Sequence, residues 1–552
     1  MTAERLIVGR IATLGGPSGF GWVEALAIGD GRVLAAGSVA EVGLLAGVGT
    51  ETWRLPADLM VAPAFTDAHI HLASAALAAE QPDLGGLDQA GVCRVIAAVH
   101  EERLAAGDAD SWLLGHGWTF PALGAHPVAA WLDEVAPGRP VALWAHDHHS
   151  RWLSARAIQL AGLAAMADPP AGRIERDEDG RPSGIMYEAA AGLVDAVIPP
   201  ATAADVDWAV GSYARTLAAL GVTSAHDPGA VAPDPELRAG PVAYRAMAAA
   251  GRLPLRVVAS VREEQLDRAM AIGFASGRGI ADDERGRYRD GWLKLFSDGA
   301  LGSRTAALLA PYEPDDPAGP PPAGAAGLPL RSFEQLLDVA GRAAAGGIAS
   351  EIHAIGDAAV RTVLDVIERL PSVPGAMHRV EHAQLVDPTD IGRFAALGIA
   401  ASVQPCHLLS DASAMRGSWG ARSACAFPLA DLERAGSLMP FGTDAPVEPA
   451  DPWPGIAAAV TRRGPGWNER EAFHPEQSIS LERALRGACL DGPRSARIDD
   501  QGHLGVGARA DMLVLPTAIL HEPSDPDLIA GTRPLATLLD GDVVFREEDF
   551  DP

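Results

Sequence analysis

Through the middle of the chain, short apolar runs alternate with alanine-rich stretches of helical length, and few folds accommodate that rhythm. Runs at 59–62, 141–145, 255–261, 292–296, 348–352, 378–381, 399–404 and 438–441 read as strands. Stretches at 205–219, 333–345, 358–369 and 480–488 read as helices. A strand that returns through a helix lies parallel to the one before it, so the middle is expected to build βα units on a parallel sheet.

The two ends have a different character. Runs at 5–13, 22–29 and 32–36 read as strands, the last two separated by the turn pair Asp30-Gly31. Residues 510–515 and 542–545 repeat the pattern, with Asp540-Gly541 before the second. Both ends are expected to pair into one small β-domain, although separate hairpins at each end would leave the same trace. The expected division is a β-sandwich from 1–62 and 501–552 around a domain at 63–500. Residues 80–200 are less regular and richer in Trp, His and Pro, and part of that stretch reads as an insertion. The 552-residue length suits a large domain with a smaller companion.

An excess of 72 acidic over 44 basic residues, a formal charge of -28, repels phosphate backbones and anionic lipids. No nucleic-acid partner and no membrane is therefore expected. The partner is a small-molecule substrate, with a homodimer left open. Four scattered cysteines without a Cys-x-x-Cys pair fit a reducing cytoplasm and argue against a disulfide framework and a thiolate zinc site.

The chemistry gathers at strand ends. His69 and His71 form His-x-His shortly after an apolar run, and residues two apart on an extended chain face the same side. His353 and His382 each follow a strand-like run, and Asp444 stands in Phe-Gly-Thr-Asp-Ala-Pro after another. Any one of these is ordinarily a packing or loop residue. Together they form a ligand set for a divalent cation at the carboxyl ends of a parallel sheet. Lys294 lies inside an apolar strand. It reads either as a buried amine paired with Asp298, or as an amine whose lowered pKa lets carbon dioxide convert it to a carbamate ligand. His226 ends a further strand and is a candidate pocket residue, and Asp298 and Arg304 are candidates to orient the carbamate or the substrate. His146, Asp147, His148 and His149 also read as a separate cation cluster, though neighbours on an extended chain point apart.

Residues 61–72 (VAPAFTDAHIHL) resemble the first-strand signature of the amidohydrolase superfamily. KLFSDGALGSRT from Lys294, HAIGDAA from His353, EHAQ from Glu381, GTDAPVEP from Gly442 and GARADMLVL from Gly507 resemble its amidohydrolase-3, YtcJ-like branch, to which N-substituted formamide deformylase belongs. The resemblance spans nearly the whole chain. It implies an α/β fold: a (β/α)8 TIM-like barrel with a small β-sandwich formed by both termini. It implies metal ligands at His69, His71, Lys294 (as carbamate), His353, His382 and Asp444, and substrate contacts at Trp118, His149 and Glu188. The sequence departs from the family pattern at Ala64, at Ser154 and at 489–496.

The expected activity is hydrolysis of a C–N bond of a small molecule. One or two divalent ions would activate water, zinc first, with manganese or iron open, and Asp444 would shuttle the proton. Esters, carbamates and cyclic amides are open to the same attack. A catalytically silent binding relative is the alternative from another class.

Overall fold

The computed structural model describes residues 2–145, 150–169, 172–188, 190–229, 240–314 and 326–552. They form two compact units, one of Met1–Ala75 with Val210–Pro552 and the other of Ala76–Ala209. No described helix is long and apolar enough to cross a membrane.

The first unit opens with β1 (Arg5–Ala12), β2 (Trp22–Gly29), β3 (Arg32–Gly37), β4 (Glu51–Arg54) and β5 (Leu59–Pro63). The β2–β3 turn takes positive φ at Asp30 (53°) and Gly31 (69°), the pair of left-handed residues that matches strand twist in a two-residue hairpin. At Ala64 the chain changes sheets. Ala64 N donates to Asp511 O, whereas Phe65 N donates to Gly221 O. The next strand, β6 (Phe65–Asp67), therefore belongs to the parallel sheet.

The second unit holds β7 (Leu113–Trp118), β8 (Val141–Ala145), β9 (Ser150–Leu153), β10 (Gly172–Arg176) and β11 (Pro182–Glu188), in the order β10-β11-β9-β8-β7. Only β7 and β8 pair in parallel. Its core packs Trp118 and Trp152 with Leu113, Leu143 and Ile185. The run at 141–145, grouped above with the parallel strands, is a strand of this separate sheet. An apolar run announces burial but does not name the sheet that buries it.

Back in the first unit come β12 (Val222–Asp227), β13 (Arg256–Arg262), β14 (Tyr288–Phe296), β15 (Ser350–Ala354), β16 (Arg379–His382) and β17 (Ala400–Ser402). With β6 they make a curled, TIM-like, seven-stranded parallel sheet in the order β17-β16-β15-β14-β13-β12-β6. Parallel bridges Ala400↔Leu438 and Val403↔Phe441 carry the curl one position further. Ala68 N then donates to Phe441 O, and Asp444 N to His69 O at 2.7 Å, which ties that position to the end of β6. Helices cover the strands. Phe333–Ala345 starts at a capping box between Ser332 and Gln335, and Asp357–Ile367 buries Val360, Val363 and Leu364.

The last strands are β18 (Met512–Pro516), β19 (Ala536–Leu539) and β20 (Asp542–Arg546). β18 runs antiparallel to β5, so both chain ends share one continuous sheet, β20-β19-β18-β5-β1-β2-β3, with β4 on β1. Ile7, Ile11, Leu26 and Trp53 from one end pack with Met512, Val514 and Leu538 from the other. The run at 59–62 is likewise a strand of this terminal sheet and not of the parallel one.

Candidate active site

The carboxyl ends of the curled sheet carry the chemistry. β6 stops at Asp67, and His69 and His71 follow it rather than lying within it. Asp67 holds this turn in place: its buried carboxylate accepts from Thr443 Oγ1 (2.6 Å), Thr443 N (3.0 Å) and His69 N (3.2 Å). Burial pushes that carboxyl up to about 7, against the pull of these hydrogen bonds. Gly442 permits the close approach, because a Cβ there would sit 2.6 Å from His69 N. Asp444 (φ 63°) and His382 (φ 71°) take left-handed backbone conformations that non-glycine residues seldom adopt, a strain the surrounding structure must hold.

Five of the six expected ligands are imidazoles or a carboxylate, and the structure brings these five together. Asp444 Oδ1 lies 3.5 Å from both His69 Nε2 and His71 Nε2. His69, His382 and Asp444 offer donor atoms that all lie within 4.8 Å of one another, and all three residues are buried. The rings of His353 and His382 are 4.5 Å apart, centre to centre. Lys294, in β14, points its Nζ at His69 Nε2 from 3.4 Å.

Each ring has one nitrogen committed elsewhere. His71 Nδ1 meets Gly229 O at 2.6 Å, His382 Nδ1 meets Gln404 Oε1 at 2.8 Å, and His353 Nε2 meets Gly299 O at 3.1 Å. Carbonyl oxygens only accept, so those nitrogens carry the protons. The lone pairs left over are His71 Nε2, His382 Nε2 and His353 Nδ1. Burial drives His69 and His382 well below the ordinary imidazole pKa and His353 down to about 4, so these rings are neutral near pH 7. Burial alone would raise Asp444, but the surrounding histidines hold it well below the usual carboxylate range. Neutral imidazole lone pairs around a buried anion are the donor set of a divalent cation, and the residues fit one.

A second group, His69 with Glu351 and Glu381, has equally close donor atoms. Its two carboxylates share the wholly buried Arg379, 2.5 Å from each, which offsets one of the two charges and ties the group into a charge network of its own.

The remaining candidates spread out. Asp298 is not the partner of Lys294: its carboxylate accepts from Ala307 N, Ile355 N and Gly356 N and faces His353 Nε2 at 3.5 Å. Burial raises it to about 7. The carboxylates acting on Lys294 are Glu381, Glu351 and Asp444; they oppose burial, which lowers the amine. Arg304 donates to Glu313 O and lies over the Tyr312 ring. His226 is buried under the ligands and its Nδ1 accepts from Arg379 at 3.2 Å. Trp118 is fully buried in the core of the second unit, its Nε1 donating to Leu143 O. Ser154 caps the helix Ala155–Leu160. Glu188 ends β11, while His149 and its neighbours at 146–148 lie outside the described residues.

Sequence reasoning missed four residues. Glu351, Arg379 and Glu381 sit inside strands whose histidines drew the attention. His407 stands just past β17, where its Nε2 is 3.8 Å from Asp444 Oδ2. The strand-end logic that found His353 also applies to it.

The sequence model of the Amidohydrolase family matches residues 57–545, a span that takes in every one of these side chains. The chain belongs to the Amidohydrolase family. This amidohydrolase is 31% identical to YtcJ of Bacillus subtilis (strain 168) over 502 residues, covering 88% of this chain and 89% of that one. It is 26% identical to N-substituted formamide deformylase of Arthrobacter pascens over 513 residues, 89% and 90% of the two chains. Among solved structures, an uncharacterized metal-dependent hydrolase from Pyrococcus furiosus matches with a TM-score of 0.76 and 28% identity, over 93% of this chain and 98% of that one.

Proposed function

We propose that this amidohydrolase hydrolyses an amide-type C–N bond of a small molecule with the help of a divalent cation. The observation that carries the reading is the meeting of imidazole lone pairs with the ionised, buried Asp444. His69, His71, His353, His382 and Asp444 would hold the cation, with Lys294 joining them when carboxylated. Zinc suits this nitrogen and oxygen set best, and manganese or iron also match it. When bound, the cation supplies Lewis acidity, which acidifies water and polarises the scissile carbonyl.

Asp444 accepts the proton of the attacking water and returns it to the leaving nitrogen. Its Oδ1 lies 3.5 Å from both His69 Nε2 and His71 Nε2, so all three atoms would face the same cation. Its Oδ2 faces His407 Nε2 at 3.8 Å, close enough for the imidazole to act on its charge though not to hydrogen-bond it. A cavity of about 600 Å3, lined by Lys294 with Arg262, Glu263, Glu264, Phe296, Leu330 and Arg331 and by none of the other five cation-holding residues, has the volume of a small-molecule site. The similarity to formamide deformylase makes N-formyl amines the first substrates to test, beside N-acyl amines, lactams and esters.

Dialysis against a chelator is expected to abolish turnover, and added zinc to restore it. A cation held at about 100 times its Kd stabilises the folded chain by about 2.7 kcal/mol. The melting temperature should therefore drop on removal and recover on reloading. Turnover that persists in metal-free protein would exclude the reading. His407→Ala is expected to lower kcat about 10–100-fold, the usual cost of losing a supporting partner, with metal content unchanged. A kcat equal to wild type would remove His407 from the mechanism.

A further inference from the structure

We infer that Glu381, held by Arg379 and Glu351, is the positioning residue that sets which nitrogen of His69 faces the cation. Glu381 Oε2 lies 2.6 Å from His69 Nδ1, and Oε1 lies 2.5 Å from Arg379 Nε. Neither contact is aligned as a hydrogen bond, so the distance and the charge are what matter. Two lone pairs cannot be pressed to 2.6 Å in a water-free interior. Nδ1 must therefore carry the proton even though it is not aimed straight at Oε2, and the charge of the adjacent carboxylate keeps it on that nitrogen. Nε2 is then the bare nitrogen, and Nε2 is the atom turned toward Asp444 and Lys294.

The three other histidines obtain the same service from neutral oxygens, namely Gly229 O, Gln404 Oε1 and Gly299 O. His69 differs in having a carboxylate at 2.6 Å on its Nδ1; the Asp298 carboxylate stands off at 3.5 Å from His353 Nε2, which Gly299 O already occupies. The Glu381 carboxylate is fixed from behind: Arg379, two residues earlier on β16, also grips Glu351 across the sheet through Nε (3.2 Å) and Nη2 (2.5 Å). Trp292 lies under the guanidinium at 4.0 Å. Glu351, Arg379 and Glu381 are all 0% exposed, so their charges are felt at full strength. A carboxylate behind the ring also makes Nε2 a stronger donor, because it stabilises the positive charge the ring acquires on binding a cation.

This inference rests on the cation-dependent reading above. Its test is zinc affinity, measured by competition with a chromophoric chelator, together with the visible spectrum of the cobalt-loaded protein. Glu381→Gln is expected to weaken zinc about 10–100-fold and to change the cobalt spectrum. Glu381→Asp keeps the charge against Arg379, which guards the fold, but withdraws it from His69, and is expected to fall between Gln and wild type. Glu351→Gln removes equal charge from Arg379 and from the neighbourhood of His69, but leaves the Glu381 contact with Nδ1 in place. It should lower the melting temperature and weaken zinc several-fold less than Glu381→Gln, with the wild-type cobalt spectrum retained. Wild-type zinc binding by Glu381→Gln, or equal losses in the Glu381 and Glu351 variants, would overturn the inference while leaving the proposed function standing. A wild-type chain that binds no zinc, manganese or iron would remove the proposed function itself.

Discussion

Asp444→Asn is expected to lower turnover by about 10²–10⁴-fold while the protein keeps its fold and most of its cation. General acid–base groups typically contribute that much, about 2.7–5.5 kcal/mol of barrier. The substitution is close to isosteric, and asparagine accepts the left-handed backbone that Asp444 adopts at φ 63° better than most residues. It therefore removes the proton-accepting oxygen with little cost to the loop that carries it. The backbone bond from Asp444 N to His69 O and the Thr443–Asp67 pair are untouched. The measurement is steady-state kcat on whichever amide the substrate screen yields, with metal content determined on the same sample. Near-normal turnover would mean that another group moves the proton. A protein that has lost its cation as well would make Asp444 chiefly a ligand.

The largest expected effect on stability lies one layer below. Arg379→Met leaves Glu351 and Glu381 buried side by side with their shared cation gone, compensated only in part by Lys294 and, beside Glu351, by Arg262. Removing one partner of a buried charge network typically costs about 3–5 kcal/mol, because the remaining charge can neither hydrate nor pair. The melting temperature should fall by a few degrees. Neutralising the whole network should undo much of the damage, since an uncharged set of similar volume has no desolvation penalty left. The triple variant Arg379→Met, Glu351→Gln, Glu381→Gln is accordingly expected to be more stable than Arg379→Met alone, although its zinc affinity stays low through the loss of Glu381. If Arg379→Met melted within a degree of wild type, the three groups could not be ionised in the folded protein.

Much of the fold was legible because its signals are local. A short apolar run bounded by turns marks a buried extended segment in most places it occurs here, and the Asp-Gly pairs at 30–31 and 540–541 carry the left-handed backbone their hairpins need. The helix at 333–345 could be read to the residue from its serine cap and its apolar period. The candidate ligands were legible for the same reason: a histidine or aspartate just past such a run marks a strand end without any knowledge of what lies across the barrel.

The sequence by itself thus marked many of the strands and helices, and the imidazoles and carboxylate near their ends. The run at 438–441, however, forms isolated bridges rather than a strand, and most strands of the second unit left no readable run. Only the tertiary structure decided which sheet each strand joined. Residues 59–62 went to the terminal sheet and 141–145 to the second unit, because pairing depends on partners far away in the chain. It also decided what each polar group faces. Asp298 turned from Lys294 to three backbone amides, His407 arrived opposite Asp444, and Glu381 came to rest behind His69. These are contacts between segments tens to hundreds of residues apart. Local periodicity says that a side chain will be buried; the closing of the sheet alone chooses the charge it is buried against.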